Sequence, residues 1–209
     1  MTNKKINYLG IDVYYESNLN GGGMDFGQDY ITVIQNRYAG KCFEHTYEFC
    51  AGPGFIGFSI LAHGLTKKLC LSDKFTPAYE SMCRTVKENS LEHKVNCFNV
   101  EGVKDVAASG FDLVVSNPPH FLNKCEWLTH IDDRIYIDEN WNVHREFYKN
   151  ISTKMTDDGI ILIQENALGS EPEMFEPMIK EARLKISDVF SMKEIKGNDK
   201  IYYLEVVKA

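Results

Sequence analysis

From about Thr46 onward, short apolar runs alternate with stretches of helical spacing. Thr46 to Cys50 reads as a first strand, broken by Ala51-Gly52-Pro53-Gly54, and Phe55 to His63 reads as a buried helix. Lys68 to Ser72 is a second strand ending at Asp73. Pro77 sits where a helix can begin, and Tyr79, Met82, Cys83 and Val86 recur at helical spacing before Asn89. Val95 to Val100 gives a third strand. Phe111 to Ser116, with Leu113, Val114 and Val115 consecutive, has the unbroken apolar run of a strand buried on both faces of a parallel sheet. Trp141, Tyr148, Ile151 and Met155 mark a helix that Asp157-Asp158-Gly159 would end, and Ile160 to Gln164 is the next buried strand. Glu171 to Ala182 is predicted helical, with Pro172 in its first turn and Pro177 delaying its start or kinking it.

The ending breaks the alternation. Ile186 to Met192 and Ile201 to Lys208 are two further strands with only Lys193 to Lys200 between them, a turn containing Gly197-Asn198. A connection that short makes the two strands antiparallel neighbours, whereas the helical crossovers before them demand parallel strands. The fold class predicted is α/β, a doubly wound, mostly parallel sheet of seven strands with an antiparallel pair at its C-terminal end. Residues 46–209 form this domain. Residues 1–45 form an N-terminal extension, polar and dotted with aromatics, with Gly21-Gly22-Gly23 and Gly27 inside it. No internal repeat or low-complexity tract interrupts the pattern.

Composition narrows the class further. The 209 residues are 44% hydrophobic and 25% charged, an ordinary globular balance that sets aside disordered and fibrous chains. No apolar run approaches the ~18 residues of a membrane span, and the opening MTNKKINY has no signal-peptide pattern, so a cytoplasmic location is expected. The six cysteines, at 42, 50, 70, 83, 97 and 125, lack the spacing of a zinc knuckle or a redox pair, which argues for a reducing compartment and no metal. A net charge of −7 is not the basic footprint of an autonomous nucleic-acid binder.

Chemistry concentrates where strands end. Glu48-Phe49-Cys50-Ala51-Gly52-Pro53-Gly54-Phe55-Ile56-Gly57 spans the first strand-to-helix turn, where small residues let a ligand approach backbone N–H groups at a helix N-terminus. Asp73, 19 residues after Gly54, ends the next strand and can accept both hydroxyls of a ribose; its other reading is a helix cap ahead of Pro77. Pro53 spoils the dinucleotide fingerprint. Glu48 would repel a pyrophosphate but favours an ammonium or sulfonium.

These residues resemble the first motif of class I S-adenosylmethionine-dependent methyltransferases, an acid followed by a Gly-x-Gly-x-Gly turn, with Cys50 at the first glycine. The resemblance runs from Tyr47 to the C-terminus. It implies S-adenosylmethionine as cofactor and S-adenosylhomocysteine as product. Glu48, Cys50, Ala51, Gly52 and Gly54 would then form the turn beside the methionine part, and Asp73 would hold the ribose. Lys74 or Phe75 would pack on adenine, and Glu101 would stand near the adenine amine, its other reading being a plain loop residue.

Asn117-Pro118-Pro119-His120 follows the buried strand directly, and two prolines there fix a rigid, extended turn. In the methyltransferases it resembles, Asn-Pro-Pro-aromatic accompanies transfer to planar nitrogens. Such a nitrogen is a poor nucleophile. The Asn117 oxygen and the Pro118 carbonyl can accept its N–H bonds and aim its lone pair at the methyl group. Asn117, Pro118, Pro119 and His120 are therefore the catalytic candidates, and Asn117 is counted among the cofactor residues as well. His120 stands where the family has Tyr or Phe; it could stack, take up a proton, or simply pack against Phe121.

Weaker candidates surround these. Asn18 to Asp29 could cover the methionine end of the cofactor, through Phe26 and Gly27. Phe121 to Glu139, with Trp127, Arg134 and Tyr136, is either a substrate lid or an ordinary insertion. His144-Arg145-Glu146 reads mainly as a solvated helix face, and Glu165-Asn166 opens toward the same sheet edge as Asn117. The function expected is direct methyl transfer to a planar nitrogen, with a protein glutamine or a small-molecule amide or amine favoured as partner over an adenine or guanine amine. A nucleotide-binding scaffold without transfer is the reading from another class.

Overall fold

In a computed structural model, residues 3–21, 23–128, 132–191 and 200–209 are described, the side chains of Asn3, Phe26 and Trp127 excepted. The chain divides into two compact units, residues 1–101 and 102–209. The mostly parallel seven-stranded sheet has three of its strands in the first unit and four in the second.

The first unit contains β3 (Phe43–Phe49), α2 (Phe55–Ala62), β4 (Thr66–Asp73), α3 (Thr76–Glu88) and β5 (Val95–Asn99). β3, β4 and β5 pair in parallel, with Glu48 opposite Leu71 and Asp73 opposite Asn99. α2 is apolar all round, and Phe55 through Leu61 are buried, as a helix walled in on every side requires. Gly57 makes that burial possible. A Cβ there would lie 2.7 Å from the Glu48 Oε2 and within 2.9 Å of both Leu69 and Leu71. Gly57→Ala is therefore expected to cost about 1 to 3 kcal/mol by overpacking, despite alanine's better helix propensity. A urea midpoint at or above the parent's would count against this account.

The N-terminal 45 residues are more regular than their composition suggests. β1 (Asn3–Tyr8) and β2 (Ile11–Glu16) form an antiparallel hairpin in a sheet of their own, and α1 (Gly23–Arg37) follows. α3 serves the free edge of β2: Thr85 Oγ1 accepts from the Tyr14 N–H at 3.0 Å and Asn89 Oδ1 from that of Asp12 at 2.9 Å. An edge strand is thus capped by helix side chains instead of a further strand. Gly27 lets α1 approach α2, since a Cβ there would lie 3.1 Å from the Phe55 carbonyl oxygen.

The second unit holds β6 (Phe111–Ser116), a four-residue helix α4 (Asp133–Tyr136), α5 (Asn142–Ile151), β7 (Met155–Asn166), α6 (Pro172–Glu181), β8 (Leu184–Ser191) and β9 (Ile201–Lys208). β6 and β7 are parallel, and β9 runs antiparallel to both β7 and β8, the closing pair predicted from the short connection. Gly197-Asn198 lie outside the described residues. One boundary needs correction. Met155 to Gly159 belong to β7, not to the end of a helix, and the register slips between Phe111↔Met155 and Leu113↔Ile160. Asp157 and Asp158 project outward from this irregularity, and Gly159 lies against the Phe111 carbonyl, which a Cβ would meet at 2.8 Å. Pro177 lies inside α6 and does not delay its start. No helix among the described residues is long and apolar enough to cross a membrane.

Candidate active site

In the first unit the chain leaves β3 through Cys50, Gly52 and Gly54, all with positive φ (52°, 53° and 83°). Glycine adopts such angles freely; Cys50 bears a cost of roughly 1 to 2 kcal/mol. Two carboxylates fix this turn from beneath. Glu48 is buried and its Oε2 accepts from the Gly57 N–H at 2.7 Å, inside the first turn of α2. Burial raises its pKa from 4.5 to about 8, the N–H groups of Gly57 and Ile56 pulling the other way. Glu48 is therefore a buried brace for the turn, beneath the backbone a ligand would meet.

Asp73 binds the turn from the next strand. Its Oδ2 accepts from the Gly52 N–H and its Oδ1 from the Phe75 N–H, both at 2.8 Å. Burial raises its pKa, against those two N–H groups. Asp73 does not cap α3: it accepts from the N–H of Phe75, the residue ahead of Thr76 where that helix opens, with Pro77 next. Ala51 is buried, Phe75 half-buried, and Lys74 and Glu101 are exposed. Gly27 is buried between α1 and α2; the side chain of Phe26 lies outside those described.

These residues suit a nucleoside. After its two bonds, each Asp73 oxygen keeps a lone pair for a hydroxyl. A Cβ on Gly52 would meet nothing nearer than the Leu19 carbonyl at 3.8 Å, so the turn's backbone is bare on that side.

In the second unit, Pro118, Pro119 and His120 are buried and Asn117 half-buried at the end of β6. The His120 ring is tied at both nitrogens: Nε2 to Asn117 Oδ1 at 2.8 Å and Nδ1 to Glu165 Oε2 at 3.1 Å. It meets Phe121 edge-on, centroids 6.5 Å apart. Glu165, buried at the end of β7, reaches with its other oxygen to His144 Nε2 at 2.8 Å, and His144 Nδ1 meets Asp138 Oδ2 at 2.6 Å. Asp138 also accepts the backbone N–H groups of Val143 and His144 at the start of α5. Ser170 donates to Glu165 Oε2 at 3.2 Å and bonds the Tyr202 hydroxyl. Among the described residues no group of His, Cys, Asp or Glu side chains is arranged to hold a metal ion.

Two readings of the sequence change here. His144 is 1% exposed, not part of a solvated face, although Arg145 and Glu146 are exposed. The signal was present: Trp141, His144, Tyr148 and Ile151 follow helical spacing, which puts His144 on the buried stripe. Asp138 was missed, because it acts through capping from a segment without periodicity. In the stretch Phe121 to Glu139, Phe121 bridges Ile137, Tyr136 is buried, and Arg134 folds back onto Asp132, its Nη2 at 2.6 Å. Trp127's side chain lies outside those described.

A family model, that of the methyltransferase small domain, matches residues 22–136, more than half of the chain. The chain belongs to the methyltransferase small domain family. S-adenosylmethionine is accordingly the cofactor of this methyltransferase, and the sheet is the Rossmann-like methyltransferase fold. Among solved structures the methyltransferase is similar to TYW2 of M. jannaschii in complex with AdoMet, at 15% identity and TM-score 0.63, covering 98% of this chain and 84% of that one. It is similar also to a ribosomal protein L11 methylase from Lactobacillus delbrueckii subsp. bulgaricus, at 15% identity and TM-score 0.59, covering 88% and 79% of the two chains. A third is the tRNA methyltransferase TrmK of B. subtilis, at 11% identity and TM-score 0.59, covering 88% and 65%. No curated protein matches the chain.

Proposed function

We propose that this methyltransferase methylates a planar nitrogen, an amide or amine of a protein or small molecule, by direct displacement: the N–CH3 bond forms as the sulfonium S–CH3 bond breaks, sulfur keeps that bond's electron pair, and the nitrogen's proton passes to water. The observation that carries the reading is Asn117, at the end of a buried strand, followed by two prolines, with its side-chain oxygen already held by His120. That oxygen keeps one lone pair, and the Pro118 carbonyl offers a second acceptor, so the two can grip an acceptor N–H and turn the nitrogen lone pair toward an electrophile. When bound, S-adenosylmethionine supplies a methyl group on a sulfonium, which needs no covalent enzyme intermediate. Gly52 and Gly54, with Cys50 and Ala51 in the same turn and Glu48 beneath it, bind the methionine part; Asp73 accepts the ribose hydroxyls. Phe75 or Lys74 covers the adenine, and Glu101 takes its amine. Gly27 and Phe26 belong to the segment that shields the methionine end.

A protein or small-molecule acceptor is favoured by the net charge of −7, since affinity for nucleic acid comes largely from neutralising phosphates. An adenine or guanine amine is the competing acceptor, and strongly salt-dependent retention on RNA would establish it. The test of the cofactor site is calorimetric titration with S-adenosylhomocysteine. Micromolar binding is expected, lost or weakened at least tenfold by Asp73→Ala, with no binding of NAD. At a hundredfold excess over Kd the ligand should stabilise the fold by about 2.7 kcal/mol. Absence of binding in the parent protein would turn the assignment toward a scaffold without transfer.

A further inference from the structure

We infer that Asp138, His144 and Glu165 are positioning residues: they form a buried, charge-balanced ladder that keeps a proton on His120 Nε2 and so fixes the rotation of the Asn117 carboxamide. The argument is a proton count. Four contacts link the five groups: Asn117 Oδ1 with His120 Nε2, His120 Nδ1 with Glu165, Glu165 with His144 Nε2, and His144 Nδ1 with Asp138. All four lie between 2.6 and 3.1 Å, hydrogen-bond distances that each require one proton. Two neutral imidazoles and two carboxylates carry only two. The ladder therefore holds two more, which makes it electrically neutral in a site where an unbalanced charge would be costly. An amide oxygen can only accept, so the proton of the first contact sits on His120 Nε2.

The surroundings agree. Burial lowers the proton affinity of His144, but Glu165 and Asp138 outweigh it and bring its pKa to about 9. Burial likewise opposes ionisation of Glu165, yet His144 and His120 hold it below its ordinary value. The other titratable groups facing Glu165 are the phenols of Tyr148 and Tyr202, both raised by burial and by the Glu165 charge. The rings of Phe175, stacked at 4.5 Å, and Trp141, edge-on at 5.4 Å, close off His144. His120 is thereby assigned to holding Asn117, with neither ring nitrogen free to collect a proton.

The inference rests on the proposed function only in giving Asn117 the acceptor. Its test needs neither cofactor nor acceptor: long-range proton–nitrogen spectra of the imidazole rings, assigned with His120→Gln and His144→Gln. At neutral pH, His144 should be protonated on both nitrogens and His120 on Nε2. Glu165→Gln keeps the shape and removes the charge, and His144 should then bind its second proton at least tenfold more weakly. A His120 ring carrying its proton on Nδ1 alone, or a neutral His144, overturns the ladder. Loss of S-adenosylhomocysteine binding with these spectra intact would instead defeat the functional reading.

Discussion

Asn117→Ala is expected to lower methyl transfer by about 10²- to 10³-fold, the loss that follows removal of one preorganised hydrogen-bonding group at a reacting centre. S-adenosylhomocysteine should bind to the variant about as it does to the parent. The prediction follows from what an amide or aromatic amine lacks. Its lone pair is delocalised, and only an oxygen fixed beside the N–H holds the nitrogen in the orientation that attacks. In the structure that oxygen is fixed: His120 Nε2 lies 2.8 Å from it, and two buried prolines hold the backbone that follows. Alanine removes the oxygen and leaves His120 Nε2 with no partner at that position, so stability should fall as well, by about 1 to 3 kcal/mol for a group stranded near the interior. Single-turnover transfer of a labelled methyl group, on an acceptor found by screening, separates the effects. Turnover within a factor of three of the parent would remove Asn117 from the chemistry.

The sheet was legible because strands buried on both faces read as unbroken apolar runs. Leu113-Val114-Val115 and Ile160 to Ile163 are such runs, short and rich in β-branched residues, and the strand bounds Phe111–Ser116 and Ile201–Lys208 agree residue for residue. The N-terminal hairpin was hidden by its turn. Leu9 and Gly10 both have positive φ, 44° and 99°, and a leucine there carries none of the Asn-Gly signal that marks such turns. α1 was hidden by its glycines. Gly21-Gly22-Gly23 and Gly27 speak for a loop, yet burial of Tyr30, Val33 and Ile34 overrides them. At the site, the Gly turn and Asn-Pro-Pro stood out because each is a local backbone requirement. The ladder did not, because its members come from four separate stretches and only packing shows that their nitrogens and oxygens meet.

The buried titratable groups set how stability depends on pH, and the dependence should be steep. Glu48 has a folded pKa of about 8, above its ordinary 4.5, so its stabilising contribution is complete below 4.5 and lost as pH rises through 8. His144 has a folded pKa of about 9, above its ordinary 6.5, so the stability from its two carboxylates is complete below 6.5 and lost as pH rises through 9. Asp73, also raised, acts in the direction of Glu48. Glu165 acts oppositely: its folded value is lowered, so its contribution is present above 4.5 and lost as pH falls below that. Maximum stability should therefore lie in the mildly acid range. Between the ordinary value of His144 and the folded value of Glu48 both groups lose stability together, each by about 1.4 kcal/mol per pH unit. At about 3 °C per kcal/mol for a chain of this size, Tm should drop by roughly 10 °C between about pH 6.5 and 8. Glu48→Gln keeps an acceptor for the Gly57 N–H and cannot titrate, so about half of that slope should vanish and the variant should overtake the parent on the alkaline side. Differential scanning calorimetry of both proteins across this range decides it. A parent Tm that is level or rising from pH 6 to 8 would show that Glu48 is not held in a water-excluded interior and that His144 is not kept protonated by its two carboxylates, and with that the brace under the turn and the ladder behind Asn117 would both lose their physical basis.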